Sequence, residues 1–203
     1  RILREVYDRV QRLRGIEQPQ PVPSYAFESS ALRALLADVI EEQMPRERRL
    51  ASEAFLKSLQ LVPDDLDMLE MYMNFLDQQA AGLYDERKKR LYVNSDFDIA
   101  RSEVARLILA HEICHALQDH AYDFKALGLN AENDDDRAIA ISTLAEGDAM
   151  VLMADYALRH GSSEVIREIP ALLMGSSAGM EDIPHFFQQV LFFPYLQGQI
   201  FVQ

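Results

Sequence analysis

Cysteine occurs only once in this sequence, at Cys114. A single cysteine excludes an intramolecular disulfide framework, so the redox compartment cannot be inferred from cysteine usage. Long apolar runs are also missing, and the first residues do not have the pattern of a signal peptide. We therefore expect no membrane span in this chain.

Basic residues are scarce, because 20 Lys and Arg stand against 33 Asp and Glu and give a formal net charge of −13. Binding to phosphate backbones needs clustered Lys and Arg, so this balance argues against a nucleic-acid partner. The one basic run, residues 87–90, is expected to be a solvated turn. With 203 residues, of which 49% are hydrophobic, the chain is long enough to bury a core as one domain.

The ends of the sequence affect what can be expected about location. The chain opens on Arg1 and stops at the apolar residues 200–203. We expect a trimmed piece of a longer product, and any export signal would then be missing from this fragment. The compartment stays open, with an extracytoplasmic location as one hypothesis.

The most informative stretch is RLILAHEICHALQDH, residues 106–120. On an α-helix, His111 and His115 lie about 40° apart with Glu112 beside them. The flanking residues are apolar nearly all round, which predicts a buried helix. Cys114 points about 60° away from His111, so packing suits it better than metal ligation. Two imidazoles one turn apart with an intervening Glu are typical of a Zn²⁺ site whose Glu serves as general base.

Glu146, in the later segment LAEGDAM, is the natural third ligand. The 30 residues between His115 and Glu146 let the chain return with a second helix, and small neighbours such as Gly147 permit close packing. Asp148 is a rival ligand that points about 160° away from Glu146 on a regular helix. Asp119 is a second rival, better suited to accept a hydrogen bond from an imidazole N–H.

The motif HEICHALQDH followed by LAEGDA resembles the gluzincin zinc metallopeptidases. Carried over residue by residue, the resemblance implies His111, His115 and Glu146 as zinc ligands and Glu112 as general base. It covers mainly residues 80–160, and the N-terminal third matches no named pattern. Metzincins fit poorly, because Gln118 and Ala121 stand where their pattern needs glycine and a third ligand.

The resemblance implies a zincin-like fold within a mostly helical α+β chain. We expect an N-terminal lobe over residues 1–120, with a hairpin and the metal-site helix, and a helical C-terminal lobe over residues 121–203. Together they would form one catalytic domain with the metal in a cleft. The activity implied is zinc-dependent hydrolysis of a peptide or protein substrate.

Gluzincins commonly supply a Tyr or His that stabilises the oxyanion, and no motif here identifies it. Tyr195 is our first choice because Pro194 is expected to break its helix and turn the side chain toward a cavity. Tyr156 and His160 lie about 15 and 21 Å along the helix from Glu146, and His185 is a further candidate.

The local patterns predict the remaining elements. We expect a hairpin over residues 81–94, whose edge could bind an extended peptide. A capping signal at Ser95 and Asp98 is expected to start the metal-site helix, and Ser29 or Ser30 to cap an earlier one.

The acidic residues Glu132, Asp134, Asp135 and Asp136 are interpreted as a helix start rather than a Ca²⁺ loop. The full set of expected elements comprises helices over 1–14, 31–44, 46–61, 64–79 and 136–160 and a strand over 24–29.

Two other readings stay open. One is a non-catalytic, zinc-containing peptide-binding protein in which the fourth metal position is blocked. The other is a di-iron helix bundle, since Glu112-x-x-His115 is half of that signature. That fold needs a second Glu-x-x-His on another helix, and the sequence contains none.

Overall fold

A computed structural model describes residues 1–77, 81–129, 134–167 and 183–203. The described chain is mostly helical and carries a small mixed sheet, as expected for the α+β class. The helices are α1 (Ile2–Arg14), α2 (Ser29–Gln43), α3 (Arg46–Ser58), α4 (Met68–Asp77), α5 (Glu103–Tyr122), α6 (Phe124–Leu127), α7 (Asp135–His160) and α8 (His185–Val202).

Helices α1 to α4 occur in the predicted order, but some of the predicted helix ends are wrong. Capping of α2 by Ser29 or Ser30 is wrong, because the helix already begins at Ser29 and its N-cap is Glu28. Helix α4 begins four residues later than expected, since the Asp67 carboxylate accepts a hydrogen bond from the N–H of Glu70 and so caps it there. The end predicted for α4 at residue 79 lies outside the described residues.

The predicted hairpin is confirmed as β2 (Gly82–Asp85) paired antiparallel with β3 (Arg90–Asn94). The expected strand at residues 24–29 is shorter, and as β1 (Ser24–Phe27) it pairs parallel with β3. The strand order among the described residues is β1-β3-β2. Strand β2 therefore lies at an edge of this sheet.

Helix α5 is buried nearly all round, as the apolar pattern predicts. Leu109, Ile113 and Cys114 are fully buried. Cys114 is a free cysteine that packs in this core. The predicted start at Ser95 and Asp98 is wrong. Ser95 instead binds the carbonyl of Phe27, and the Ser102 hydroxyl caps the helix by accepting a hydrogen bond from the N–H of Ala105.

Helix α7 starts at the acidic cluster, as expected, with Asp134 as its capping residue; Glu132 lies outside the described residues. Gly147, one of its small residues, lies against α8. A Cβ placed on Gly147 would lie 2.1 Å from the carbonyl carbon of Gly198, so the two backbones are in direct contact. Helix α8 continues through Pro194, contrary to the predicted break. In the described part of the chain, no helix combines the length and apolarity needed to cross a membrane.

Candidate metal centre

His111 and His115 lie one turn apart on α5, and both turn their Nε2 atoms toward the same point. These two atoms are 3.0 Å apart, and the ring planes are nearly perpendicular at 89°. One helix therefore provides two imidazole nitrogens in a fixed relation, because the buried faces of α5 hold its backbone in place.

Glu146 reaches the two histidines from α7. Its Oε2 atom lies 3.0 Å from Nε2 of His111 and 3.3 Å from Nε2 of His115. Sequence positions 111, 115 and 146 are thus brought together as expected, and they form a possible metal-binding group. The side chains keep 12, 13 and 20% of their surface exposed, so the group is covered but still reachable from solvent.

The donor set suits zinc in both chemistry and spacing. Four ligands at about 2.0–2.1 Å in a tetrahedron stand about 3.3 Å from one another. The three protein atoms are separated by 3.0, 3.0 and 3.3 Å, close to that edge length. Two imidazole nitrogens and one carboxylate oxygen also match the ligands of catalytic zinc sites, which leave a fourth position for water or substrate.

The charges of His115 and Glu146 depend strongly on each other. Burial alone lowers the pKa of His115, but the charge of Glu146 and a hydrogen bond to it outweigh burial and raise this pKa to about 9. Burial alone raises the pKa of Glu146, but the two histidines outweigh it and hold that pKa well below its usual value. Without a metal, this cluster is therefore held together as an ion pair.

A polar chain behind His115, not found from the sequence, fixes the orientation of its ring. The Nδ1–H of His115 donates to Oε1 of Gln118 at 2.9 Å, which leaves Nε2 free to bind a metal. The Gln118 amide donates in turn to Asp148 at 2.6 Å, and Asp148 also accepts from Arg14 at 2.9 Å. Asp148 thus faces away from the three ligands, as the helix geometry indicated. The spacing of Gln118 three residues after His115 was the available signal.

The prediction that Asp119 accepts from an imidazole N–H is wrong. Its carboxylate instead accepts hydrogen bonds from the Tyr84 hydroxyl at 2.6 Å, from the Lys89 amine and from the N–H of Phe124. Asp119 lies one turn beyond His115, but the loop and hairpin next to it provide these donors. The basic run at residues 87–90 is accordingly more than a solvated turn.

Glu112 lies between the two histidines and faces the sheet. Its Oε2 atom accepts a hydrogen bond of 2.7 Å from the backbone N–H of Tyr84 in β2. Burial raises the pKa of Glu112 above its usual value, against the opposing effect of the two histidines. A carboxylate with a raised pKa beside a candidate metal site is the arrangement expected of a general base.

Tyr195 is the one proposed oxyanion residue that contacts this site in the described part of the chain. Its ring stacks on His111 with centroids 6.3 Å apart and planes at 23°. Burial, together with the charges of Glu146 and Glu112, raises the pKa of Tyr195 well above its usual value, so the hydroxyl keeps its proton. Tyr156 and His160 instead contact each other, and His185 is exposed at the start of α8.

Comparisons with known proteins add no relative to this picture. No protein-family model matches the chain, and searches of curated proteins and of solved structures find no significant match.

Proposed function

We propose that this protein is a zinc-dependent peptidase of the gluzincin type with a zincin-like arrangement. The observation that carries the proposal is the meeting of His111, His115 and Glu146 within 3.3 Å of one another. Two of these residues belong to the expected lobe 1–120 and the third to the expected lobe 121–203. A metal held by all three would join the two segments at the active site.

Zinc bound there would lower the pKa of a water molecule and polarise a peptide carbonyl. Glu112 would accept a proton from this water and deliver it to the leaving amine. The Tyr195 hydroxyl, which remains protonated beside His111, would donate a hydrogen bond to the oxygen that becomes negatively charged. Gln118 would keep the ring of His115 oriented throughout.

The edge strand β2 supports a peptide as the substrate. Among the residues that the structure describes, it pairs with β3 alone, and its Tyr84 N–H points away from β3 toward Glu112. Because the Tyr84 N–H is bonded to Glu112, an extended peptide added to this outer edge would bond to other main-chain groups of β2. Such bonds recognise a backbone with little regard to its sequence. The scissile bond would then lie next to the general base.

The proposal is tested by Glu112→Gln, compared with wild type and with Glu47→Gln as a matched control on the exposed surface of α3. Zinc content and cleavage of a peptide mixture are measured for each protein. We expect Glu112→Gln to hold as much zinc as wild type and to lose cleavage by at least about 10²-fold, the contribution expected of a general base. Glu47→Gln should retain both properties.

Three results would contradict the proposal. If Glu112→Gln cleaves peptides as fast as wild type, Glu112 is not the base. If wild type holds zinc but cleaves no peptide, the reading as a non-catalytic, zinc-containing peptide-binding protein replaces it. An iron signal in the metal analysis would instead favour the di-iron alternative.

A further inference from the structure

Asp119 is a fully buried carboxylate that takes no part in the candidate metal centre. Its side chain is 0% exposed. Four hydrogen bonds converge on it, from the Tyr84 hydroxyl at 2.6 Å, from the Lys89 amine to both oxygens at 2.6 and 2.5 Å, and from the N–H of Phe124 at 3.0 Å. A buried charge is tolerated only when it is paired and hydrogen-bonded in this way.

Lys89 reaches Asp119 from a backbone conformation that favours glycine. It lies in the turn between β2 and β3 with a φ of +50°, a region that costs an ordinary residue free energy and glycine little. The presence of lysine here is explained by its side chain, since the amine makes the ion pair with Asp119 across 30 positions of sequence. The turn is therefore tied to the last part of α5.

Tyr84 links this ion pair to the proposed general base. Its hydroxyl donates to Asp119, while its backbone N–H donates to Glu112 at 2.7 Å. Burial, then the hydrogen bond and charge of Asp119, raise the pKa of Tyr84, so the hydroxyl stays a donor. Strand β2 is thus attached to α5 at two points that are seven residues apart along the helix.

Gly82 completes the close fit of β2 on α5. A Cβ at this position would lie 2.8 Å from a methyl carbon of Leu109 and 3.8 Å from Cγ of Glu112. The strand therefore passes directly over the part of α5 that carries Glu112. A small shift of the hairpin would move the Tyr84 N–H away from the carboxylate that it binds.

We propose that Asp119, acting through Tyr84 and Lys89, is a positioning residue that holds the edge strand β2 on α5 and so fixes the orientation of Glu112. This inference rests on the proposed function for its effect on catalysis. Its structural part does not, because the attachment of Tyr84 to Glu112 can be measured in a protein without activity.

The test uses Tyr84→Phe, Lys89→Met and Asp119→Asn in the full chain, with Lys88→Met as the matched control. Lys88 lies in the same turn, but its amine is paired with the Asp85 carboxylate at 3.6 Å and not with Asp119. Hydrogen exchange of the residue-84 amide is followed by NMR. We expect exchange to rise about tenfold in Tyr84→Phe and Lys89→Met, as when one ordinary hydrogen bond no longer holds the strand. Lys88→Met should exchange like wild type.

Zinc content and steady-state kinetics form the second readout. Zinc content should stay at the wild-type level in Tyr84→Phe and Lys89→Met, while kcat at saturating peptide falls because the base is misplaced; KM should rise as well, since β2 is also the proposed substrate edge. Asp119→Asn has one acceptor oxygen where Asp119 uses two, for the Tyr84 hydroxyl and for the N–H of Phe124, and it also loses the charge that pairs with Lys89. Its amide exchange and kcat should therefore change at least as much as those of Lys89→Met. If Asp119→Asn fails to fold, Tyr84→Phe and Lys89→Met still test whether the contacts of Asp119 position β2.

The inference and the proposed function fail in different ways. If wild type cleaves peptides but Tyr84→Phe and Lys89→Met match Lys88→Met in amide exchange and kcat, the positioning role is wrong and the function stands. If wild type cleaves nothing while the amide exchange rises as expected, the attachment of β2 stands and the proposed function is wrong.

Discussion

His115 and Glu146 share a small volume at the candidate metal centre, so the charge on each depends on the other. His115 and Glu146 are held as an ion pair by their mutual attraction, which outweighs the cost of burial for both. A metal ion at the same point would replace the proton of His115 as the positive charge that pairs with Glu146, because zinc binds the neutral imidazole. The metal-free and zinc-bound forms should therefore respond differently to pH.

In the metal-free protein, we expect a stability maximum in mildly acidic solution. The pKa of His115 rises from 6.5 to about 9 on folding, so its contribution is fully present below 6.5 and is lost as pH rises through 9. The pKa of Glu146 is lowered from 4.5, so its contribution is present above 4.5 and is lost as pH falls. Both contributions are complete between these values.

Urea unfolding of the chelated protein at pH 6 and pH 9 measures this effect. The free energy of unfolding should be lower at pH 9 in wild type, and the difference should shrink in His115→Gln, which cannot gain the proton. An equal difference in the two proteins would show that other groups cause it.

Replacing Tyr195 by phenylalanine should separate catalysis from metal binding. The change removes the hydroxyl that would donate to the developing oxyanion and keeps the ring that stacks on His111. We expect kcat to fall by about 10²–10³-fold, as for the loss of one oxyanion donor, with zinc content unchanged. Tyr122→Phe, at an exposed position of α5, is the control. An unchanged kcat in Tyr195→Phe would assign the oxyanion role elsewhere.

At the scale of whole elements, the crossing of α7 and α8 brings Glu146 and Tyr195 to the same site. Gly147 follows Glu146 directly, and it contacts Gly198, which lies three residues after Tyr195. Because both glycines lack a side chain, the helices approach closely enough for residues from both to reach His111. The same contact therefore positions one proposed ligand and one proposed catalytic group.

Gly147→Ala should be destabilising even though alanine is the better helix former. The propensity gain is about 0.5–1 kcal/mol, whereas the added Cβ would lie 2.1 Å from backbone of Gly198, which flexible side chains cannot relieve. We expect a net loss of about 1–3 kcal/mol, typical of overpacking. Thermal unfolding measures this loss. Ala140→Gly on the exposed part of α7 should cost only the propensity term, and a stabilised Gly147→Ala would contradict the close crossing.

For the molecule as a whole, the features that depend on neighbouring residues were predictable from the sequence. The histidine spacing placed His111 and His115 on one face, and the chain length between His115 and Glu146 allowed the second helix to return. The hairpin before α5 followed from its alternating pattern and charged turn. The histidine spacing and the hairpin depend on local periodicity, which the sequence displays directly, whereas Glu146 was inferred from the length of chain that follows the histidines.

The features that the sequence did not reveal depend on contacts between distant segments. The parallel pairing of β1 with β3, the contact of Gly147 with Gly198 and the ion pair of Lys89 with Asp119 each join residues at least 30 positions apart. No local pattern specifies such partners. The start of α5 was misplaced for a related reason, because Ser95 is occupied by the distant carbonyl of Phe27.

Zinc K-edge X-ray absorption of the purified chain, combined with elemental analysis, is the most direct test of the proposed zinc site. If His111, His115 and Glu146 hold a catalytic zinc ion, the measurement will give one zinc per chain, two imidazoles, and only nitrogen and oxygen ligands at about 2.0–2.2 Å. Glu146→Gln should lose zinc, and Glu47→Gln should retain it. A sulfur ligand at about 2.3 Å, the absence of stoichiometric zinc, or full retention of zinc by Glu146→Gln would contradict the proposed zinc site.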